Sequence, residues 1–305
     1  MQIQWYPGHM HKASKEMRKL LPTIDLVIEV LDARIPFSSE NPMINELRQG
    51  KPCIKVLSKS DLADPGLTQQ WQSFMEREQG VKTLALTTEE PERMRQLMPL
   101  ARKMVPDKAN GLKPVHALIM GIPNVGKSTL INILAGRTIA KTGNEPAVTK
   151  NQQRIELEEG IVLFDSPGVL WPNVENRNSG YRLAVTGAIK DTAMEYDDVA
   201  WFAAEYLLCH YPERLQQRYQ LASLPESETE LLETIGRQRG CLVSGGRVDF
   251  EKASRLLLME LRAGKFGRLT LETPEIMTQE LAELEIIREE KAAKKAARKA
   301  RRKKK

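Results

Sequence analysis

The chain has 305 residues, a formal net charge of +6, 41% apolar residues and three cysteines. That length suits two domains, and the apolar share is enough for a sizeable core. No apolar run reaches the ~18 residues of a membrane-spanning helix, residues 1–12 lack the apolar stretch of a secretory signal, and Cys53, Cys209 and Cys241 are too scattered for a disulfide framework. A reduced, cytoplasmic protein is expected, which excludes membrane-embedded and disulfide-stapled classes.

Three zones follow in chain order. In the first, residues 25–31 (DLVIEVL), 53–57 (CIKVL) and 81–86 are aliphatic and β-branched and read as buried strands. Helical stretches separate them, for example around 67–78. A turn-rich link at 106–114 opens the second zone. It holds a strand at 115–120, a helix from Lys127, a polar stretch and a strand at 161–164. Alternating strands and helices predict an α/β fold with a mostly parallel sheet and helices on both faces. The third zone, from residue 178, shows helical signals at 197–210, 228–239 and 250–263. Asp249 reads as an N-cap, Gly264 as a stop, and Thr273-Pro274-Glu275 as the start of a last helix. The expected division is an α/β domain at 1–177, an all-helical domain at 178–285 and a basic tail at 286–305.

The charge sits in that tail. From Arg288 to Lys305 there are eleven Lys/Arg and two Glu, a local +9 that leaves −3 on residues 1–287. A basic tail on a slightly acidic body points to a polyanion. Lys291, Lys294, Lys295, Arg298, Lys299 and Arg302 share one helical face, and alanines fill the other. Alanine is too small to anchor in lipid, so nucleic acid is the expected target. Like-charge repulsion suggests that the tail orders only on binding.

The chemistry lies in short motifs. Gly121-Ile122-Pro123-Asn124-Val125-Gly126-Lys127-Ser128 matches GxxxxGK(S/T) between a strand and a helix, the context a phosphate-binding loop requires. Its backbone N–H groups and the helix N-terminus, including Val125, Gly126 and Thr129, would face phosphate oxygens. Lys127 would reach the terminal phosphates and Ser128 would ligate Mg²⁺. Asp165-Ser166-Pro167-Gly168 is a DxxG at a strand end; Asp165 would hold Mg²⁺ through water and the Gly168 N–H would meet the γ-phosphate. Between the two, Thr149 can ligate Mg²⁺ only while γ-phosphate is present, which makes a switch.

A GTPase also needs a guanine reader, and none follows Gly168. The candidate lies upstream, Ser58-Lys59-Ser60-Asp61, directly after the CIKVL strand. Asp61 could accept hydrogen bonds from guanine N1–H and N2–H₂, a pair that adenine lacks, and Lys59 could lie along the base. The order base reader, phosphate loop, threonine, DxxG is a circular permutation, which a fold tolerates when its termini are close. One consequence is mechanical: the segment after DxxG, Val169-Leu170-Trp171-Pro172, runs straight into the helical zone.

These motifs, with WYPGHM at 5–10, LDARIP at 31–36, DSPGVLWP at 165–172, RLAVTGAIKD at 182–191 and RGCL at 239–242, closely resemble the YlqF/RbgA family of circularly permuted ribosome-biogenesis GTPases over most of residues 1–270. The resemblance implies GTP/GDP and Mg²⁺ as ligands. It also implies binding to the maturing large ribosomal subunit and its rRNA through the helical domain, activation by the particle at a late assembly step, and K⁺ held with help from Asn124. It implies His9 as the residue that orients water, since Val169 stands where many GTPases carry glutamine; the alternative is that His9 packs against or caps the first helix. No oligomer is expected.

Two departures from the family stand out. Ser58 replaces the usual asparagine, and a serine is expected to lose the amide's contacts to base and phosphate loop. Thr87-Thr88-Glu89 stands where a guanine O6 loop belongs. Arg34 reads as a surface or particle-contacting residue, while Trp5, Trp171 and Trp201 read as core residues before base-stacking platforms. His11, His116 and His210 have no motif around them. Beside the GTPase reading stand a nucleotide-gated RNA binder with little hydrolysis and a small-molecule P-loop kinase or ATPase.

Overall fold

The computed structural model describes residues 5–108, 113–140 and 153–303. Six strands, β1 (Leu26–Asp32), β2 (Cys53–Ser58), β3 (Val81–Ala85), β4 (Val115–Gly121), β5 (Gln153–Leu157) and β6 (Ile161–Asp165), form one sheet in the order β3-β2-β1-β4-β6-β5. All neighbours pair in parallel except β5, which runs antiparallel to β6. The central strands β1 and β2 are buried at every position, which is why they read as continuous apolar runs. β5 (QRIEL) was not expected from the sequence. It is an edge strand whose Arg154 and Glu156 face solvent as an ion pair, so it lacks the aliphatic run that marks the interior.

The helices are α1 (Gly8–Leu20), α2 (Pro42–Arg48), α3 (Pro65–Met75), α4 (Pro91–Arg95), α5 (Leu97–Met104), α6 (Lys127–Ala135), α7 (Arg177–Val185), α8 (Tyr196–His210), α9 (Pro212–Tyr219), α10 (Glu228–Gln238), α11 (Phe250–Arg262) and α12 (Pro274–Lys303). Several start as their sequences dictate. Asn41, Asp64, Asn176, Ser227 and Asp249 each cap a helix by accepting a backbone N–H, and Gly264 stops α11 with φ +70°.

The sheet continues from β1 outward in both directions, to β2 on one side and β4 on the other. Its switch point therefore lies between β1 and β4, at the carboxyl ends where ligands of such sheets bind. After β6 the chain leaves the sheet and builds the helical region, where α8 packs against α11 and α10. It then returns. The 264–272 strap lies across the loops after β1 and β2: the Leu269 N–H donates to Leu62 O (2.9 Å), the Leu271 N–H to Arg34 O (2.8 Å), and Trp71 Nε1 to Glu272 O (3.1 Å). The expected boundaries at 177/178 and 285/286 fall at the start of α7 and midway along α12.

Some sequence expectations need correction. Arg34 is 2% exposed, not a surface residue, because Asp32 two residues earlier neutralises it and the strap, at Leu271, bonds to its carbonyl. Trp5 and Trp171 pack against the core as expected, but Trp201 is 44% exposed on α8. The backbone of residues 291–303 is helical in the isolated chain, where ordering was expected only on binding. It continues a helix already nucleated at Pro274, so the unfavourable first turn is not repeated.

Candidate active site

Four loops meet at the carboxyl edge of the sheet, after β1, β2, β4 and β6. The phosphate loop follows β4. A Cβ on Gly121 would stand 2.5 Å from Val30 O, so only glycine lets β4 turn there. Asn124 (φ 57°) and Gly126 (φ 93°) adopt the left-handed conformation that curls the loop. No side chain caps α6, leaving the backbone N–H groups at Lys127, Ser128 and Thr129 aimed out of the helix as anion donors.

Lys127, at the start of α6, and Asp165, at the end of β6, form an ion pair, and both are buried. Burial pushes the Asp165 pKa above its ordinary value, against the pull of Lys127 and the Ser166 N–H. Asp165 Oδ2 has no hydrogen-bond partner among the described residues. A buried carboxylate with one orphaned oxygen, together with the Ser128 hydroxyl in the first turn of α6, is a donor set of the oxygen type that Mg²⁺ takes. Thr149, the third expected ligand, lies outside the described residues.

The base-reader loop is tied to the phosphate loop. Lys59 (φ 55°) donates from Nζ to Asn124 O at 2.7 Å and to Asp32 Oδ2 at 3.1 Å. Arg34 grips the same carboxylate in a fork, Nε to Oδ1 at 2.9 Å and Nη2 to Oδ2 at 2.8 Å. Burial opposes ionisation of Asp32, but Arg34 and Lys59 outweigh it and hold the carboxyl well below the usual range. Ser58 was expected to lose contact with the phosphate loop. It does not: its Oγ lies 2.5 Å from Val125 O and 2.9 Å from Leu31 O, and its single proton serves one of them at a time. Asp61 is half-buried beside them. The loop after β3 joins this group, with the Ser60 N–H donating to Leu86 O at 3.2 Å, one residue before Thr87.

Gly168 packs against the phosphate loop; a Cβ there would be 3.0 Å from Pro123 Cα. Val169 is buried, its N–H donating to Gly121 O (3.1 Å) and its carbonyl accepting from Asn41 Nδ2 (3.2 Å). It offers nothing to a water molecule, as its sequence position implied. His9 is exposed near the start of α1, with its ring edge-on to Trp5 at 6.5 Å. Asn124 Nδ2 donates to Gly187 O, 2.9 Å away in the helical region. His116 and His210 pack against Phe164 and Tyr206.

Sequence reasoning missed two residues that shape this edge. Asp32 ends a strand that is apolar but for Glu29, and a buried acid in such a place is a signal that could have been used. Asn41 caps α2, since its Oδ1 accepts from the Met43 N–H. Nothing in the sequence reveals that its amide also holds Val169.

Residues 116–227 match the family model described as 50S ribosome-binding GTPase. Ribosome biogenesis GTPase A of Bacillus cereus is 46% identical over 296 residues, which cover 95% of this chain and all of that protein. The chain belongs to the ribosome biogenesis GTPase A family. It is accordingly a GTP hydrolase with a guanine-nucleotide site. Among solved members of the family, a GDP-bound YlqF is 30% identical with a TM-score of 0.62, over 85% of this chain and 99% of that one. GNP-bound YlqF from T. maritima is 30% identical with a TM-score of 0.61, over 87% and 99%. No helix among the described residues is long and apolar enough to cross a membrane.

Proposed function

We propose that this GTPase binds the maturing large ribosomal subunit and its rRNA in the cytoplasm, as a monomer, and couples GTP hydrolysis to a late assembly step. The observation that supports this most is the bond from Asn124 to Gly187 O, which attaches the nucleotide loop to the helical region. Residues 1–177 serve as the nucleotide module, 178–285 as the RNA-facing module and 286–305 as a basic extension. Lys127 exchanges its pairing with Asp165 for the β- and γ-phosphates when GTP arrives, which frees the Asp165 carboxylate. Ser128 and Asp165, with Thr149 in the GTP state, would hold Mg²⁺, which when bound neutralises charge on the phosphate oxygens. Asp61 and Lys59 select guanine, and the Gly168 N–H meets the γ-phosphate. Asn124 helps hold K⁺ once its amide turns from Gly187.

With Val169 apolar and buried, water is positioned elsewhere, by His9 and by groups of the particle. Supplying missing groups in trans can be worth ~10³–10⁵ in rate. The same burial of Val169 supports the second reading, a nucleotide-gated RNA binder with little turnover. GTP hydrolysis in potassium buffer, alone and with purified large or small subunits and with ATP as control, separates the two. Strong stimulation by the large subunit alone is expected, with loss in sodium and in His9→Ala. No stimulation by either subunit, with RNA binding still dependent on nucleotide, would favour the second reading.

A further inference from the structure

α12 is one helix of 30 residues, Pro274–Lys303, or roughly 45 Å at 1.5 Å per residue. Its first half is clamped to the segment that follows DxxG. Glu280, with its side chain 10% exposed, accepts four hydrogen bonds: from Asn176 Nδ2 (2.8 Å), Asn178 Nδ2 (2.8 Å), Arg182 Nη1 (2.8 Å) and Arg182 Nη2 (2.6 Å). Arg182 also donates from Nε to Leu271 O at 2.9 Å, so one guanidinium joins α7, α12 and the strap. Asn176 is shared as well, since its Oδ1 caps α7 while its amide holds Glu280. Further along, Arg288 Nε donates to Glu175 at 2.7 Å.

The clamped segment is continuous with the γ-phosphate sensor. Only seven residues separate Gly168 from Asn176, and among them Val169, Leu170 and Val174 are buried. They form a packed connection rather than a slack linker, so a displacement at Gly168 is carried to Asn176. Beyond Arg288 the arm is unsupported: residues 291–295 are all exposed, and Lys291, Lys294 and Lys295 among them are cationic. The remaining 15 residues to Lys303 extend about 22 Å past the last clamp. A tilt of about 10° at the clamp would move that tip by about 4 Å, more than half the spacing between phosphates along one RNA strand.

We propose that α12 is a nucleotide-set arm for RNA, in which Glu280 fixes the angle of the basic face according to the position of residues 168–178. RNA is the partner of choice because the alanine side of the tail is too thin for a lipid surface, while the charged side suits a phosphate backbone. The inference rests on the reading of this chain as an RNA-binding assembly factor.

The test uses the full chain and a short fluorescent RNA duplex, with affinity measured in GDP and in a non-hydrolysable GTP analogue at fixed salt. The wild-type protein is expected to differ about 5-fold or more between the two states, a modest allosteric coupling. Glu280→Gln and Glu280→Ala are expected to bring that ratio close to one while GDP affinity stays within about 2-fold; Glu280→Gln keeps the shape of the clamp, and thermal melts verify folding. A chain ending at Ile287 is expected to bind RNA weakly in both states. A wild-type ratio of one, or an undiminished ratio in both Glu280 variants, overturns the arm. Unchanged RNA affinity in the shortened chain overturns the RNA reading of the tail itself, as does binding to anionic vesicles without binding to RNA.

Discussion

Replacing Glu29 by glutamine is expected to stabilise the protein at neutral pH, although it alters a fully buried carboxyl in the middle of β1. Glu29 Oε1 accepts from the Asn41 N–H at 3.0 Å, and Oε2 has no partner among the described residues. The charged groups facing it are Glu40, Lys55 and Arg48, with the Cys53 thiol beside them. Burial, and then repulsion from Glu40, raise its pKa to about 8 against the pull of Lys55, the Asn41 N–H and Arg48. In the unfolded chain the group titrates near 4.5. Between those values the folded protein keeps the proton and the unfolded chain has lost it, so stability falls as pH rises and levels off above about 8. Each pH unit in that window removes up to about 1.4 kcal/mol, which makes the loss by pH 7 of the order of 3 kcal/mol at most. Glutamine holds the Asn41 N–H and has no proton to lose. Tm measured from pH 5 to 8.5 should show the variant several degrees higher at the alkaline end, at about 2–4 °C per kcal/mol, with the curves converging toward pH 5. Parallel curves, or a gap that opens on the acid side, would refute the assignment of Glu29 as a protonated buried acid.

Three other changes have definite expectations. Arg34→Met leaves the buried Asp32 with Lys59 as its remaining cation and is expected to cost about 3–5 kcal/mol, read as a large drop in Tm; a change of less than 1 kcal/mol would show that Lys59 alone suffices. Asn41→Ser keeps an equivalent helix cap but cannot reach the Val169 carbonyl, so GDP affinity should hold within about 2-fold while particle-stimulated hydrolysis falls about 10-fold; equal turnover would show that the Val169 backbone needs no tether. Ser58→Asn supplies two N–H donors to carbonyls that now share one proton, and a gain of one hydrogen bond of about 1 kcal/mol should tighten GDP about 5-fold in a fluorescent-nucleotide titration. Unchanged affinity would mean that the serine already satisfies the loop.

The parts of this protein that were legible in its sequence are those whose chemistry is local. A phosphate loop must present glycines, a lysine and a hydroxyl within eight residues, and it must join a strand to a helix, so Gly121 to Ser128 announces itself. The candidate base reader at Ser58 to Asp61 and the DxxG at Asp165 to Gly168 are equally compact. What stayed hidden depends on partners far away along the chain. Arg34 looks like a surface cation until Asp32 pairs with it and a strap more than 200 residues later bonds to its carbonyl. Glu272 looks like one more helical-zone acid, yet it is buried and accepts the N–H groups of Phe37 and Ser38 in the loop after β1. β5 was missed for a different reason, because an edge strand facing water carries charges and imitates a loop. The helical face of the tail is legible in its spacing, but its order without a partner is not, because the backbone inherits that order from the helix that begins at Pro274.

The returning strap has a further consequence. A domain appended at the end of a chain hangs from one connection and can swing in any direction. Here the helical region is held at several crossings: the exit after Gly168, the bond from Asn124 to Gly187 O, and the return at 264–272, which is hydrogen-bonded onto the loops after β1 and β2. A body pinned at several places keeps far less freedom than one on a single tether, so a change at the carboxyl edge of the sheet meets a braced helical region rather than a swinging one. Loss of one crossing would return part of that freedom.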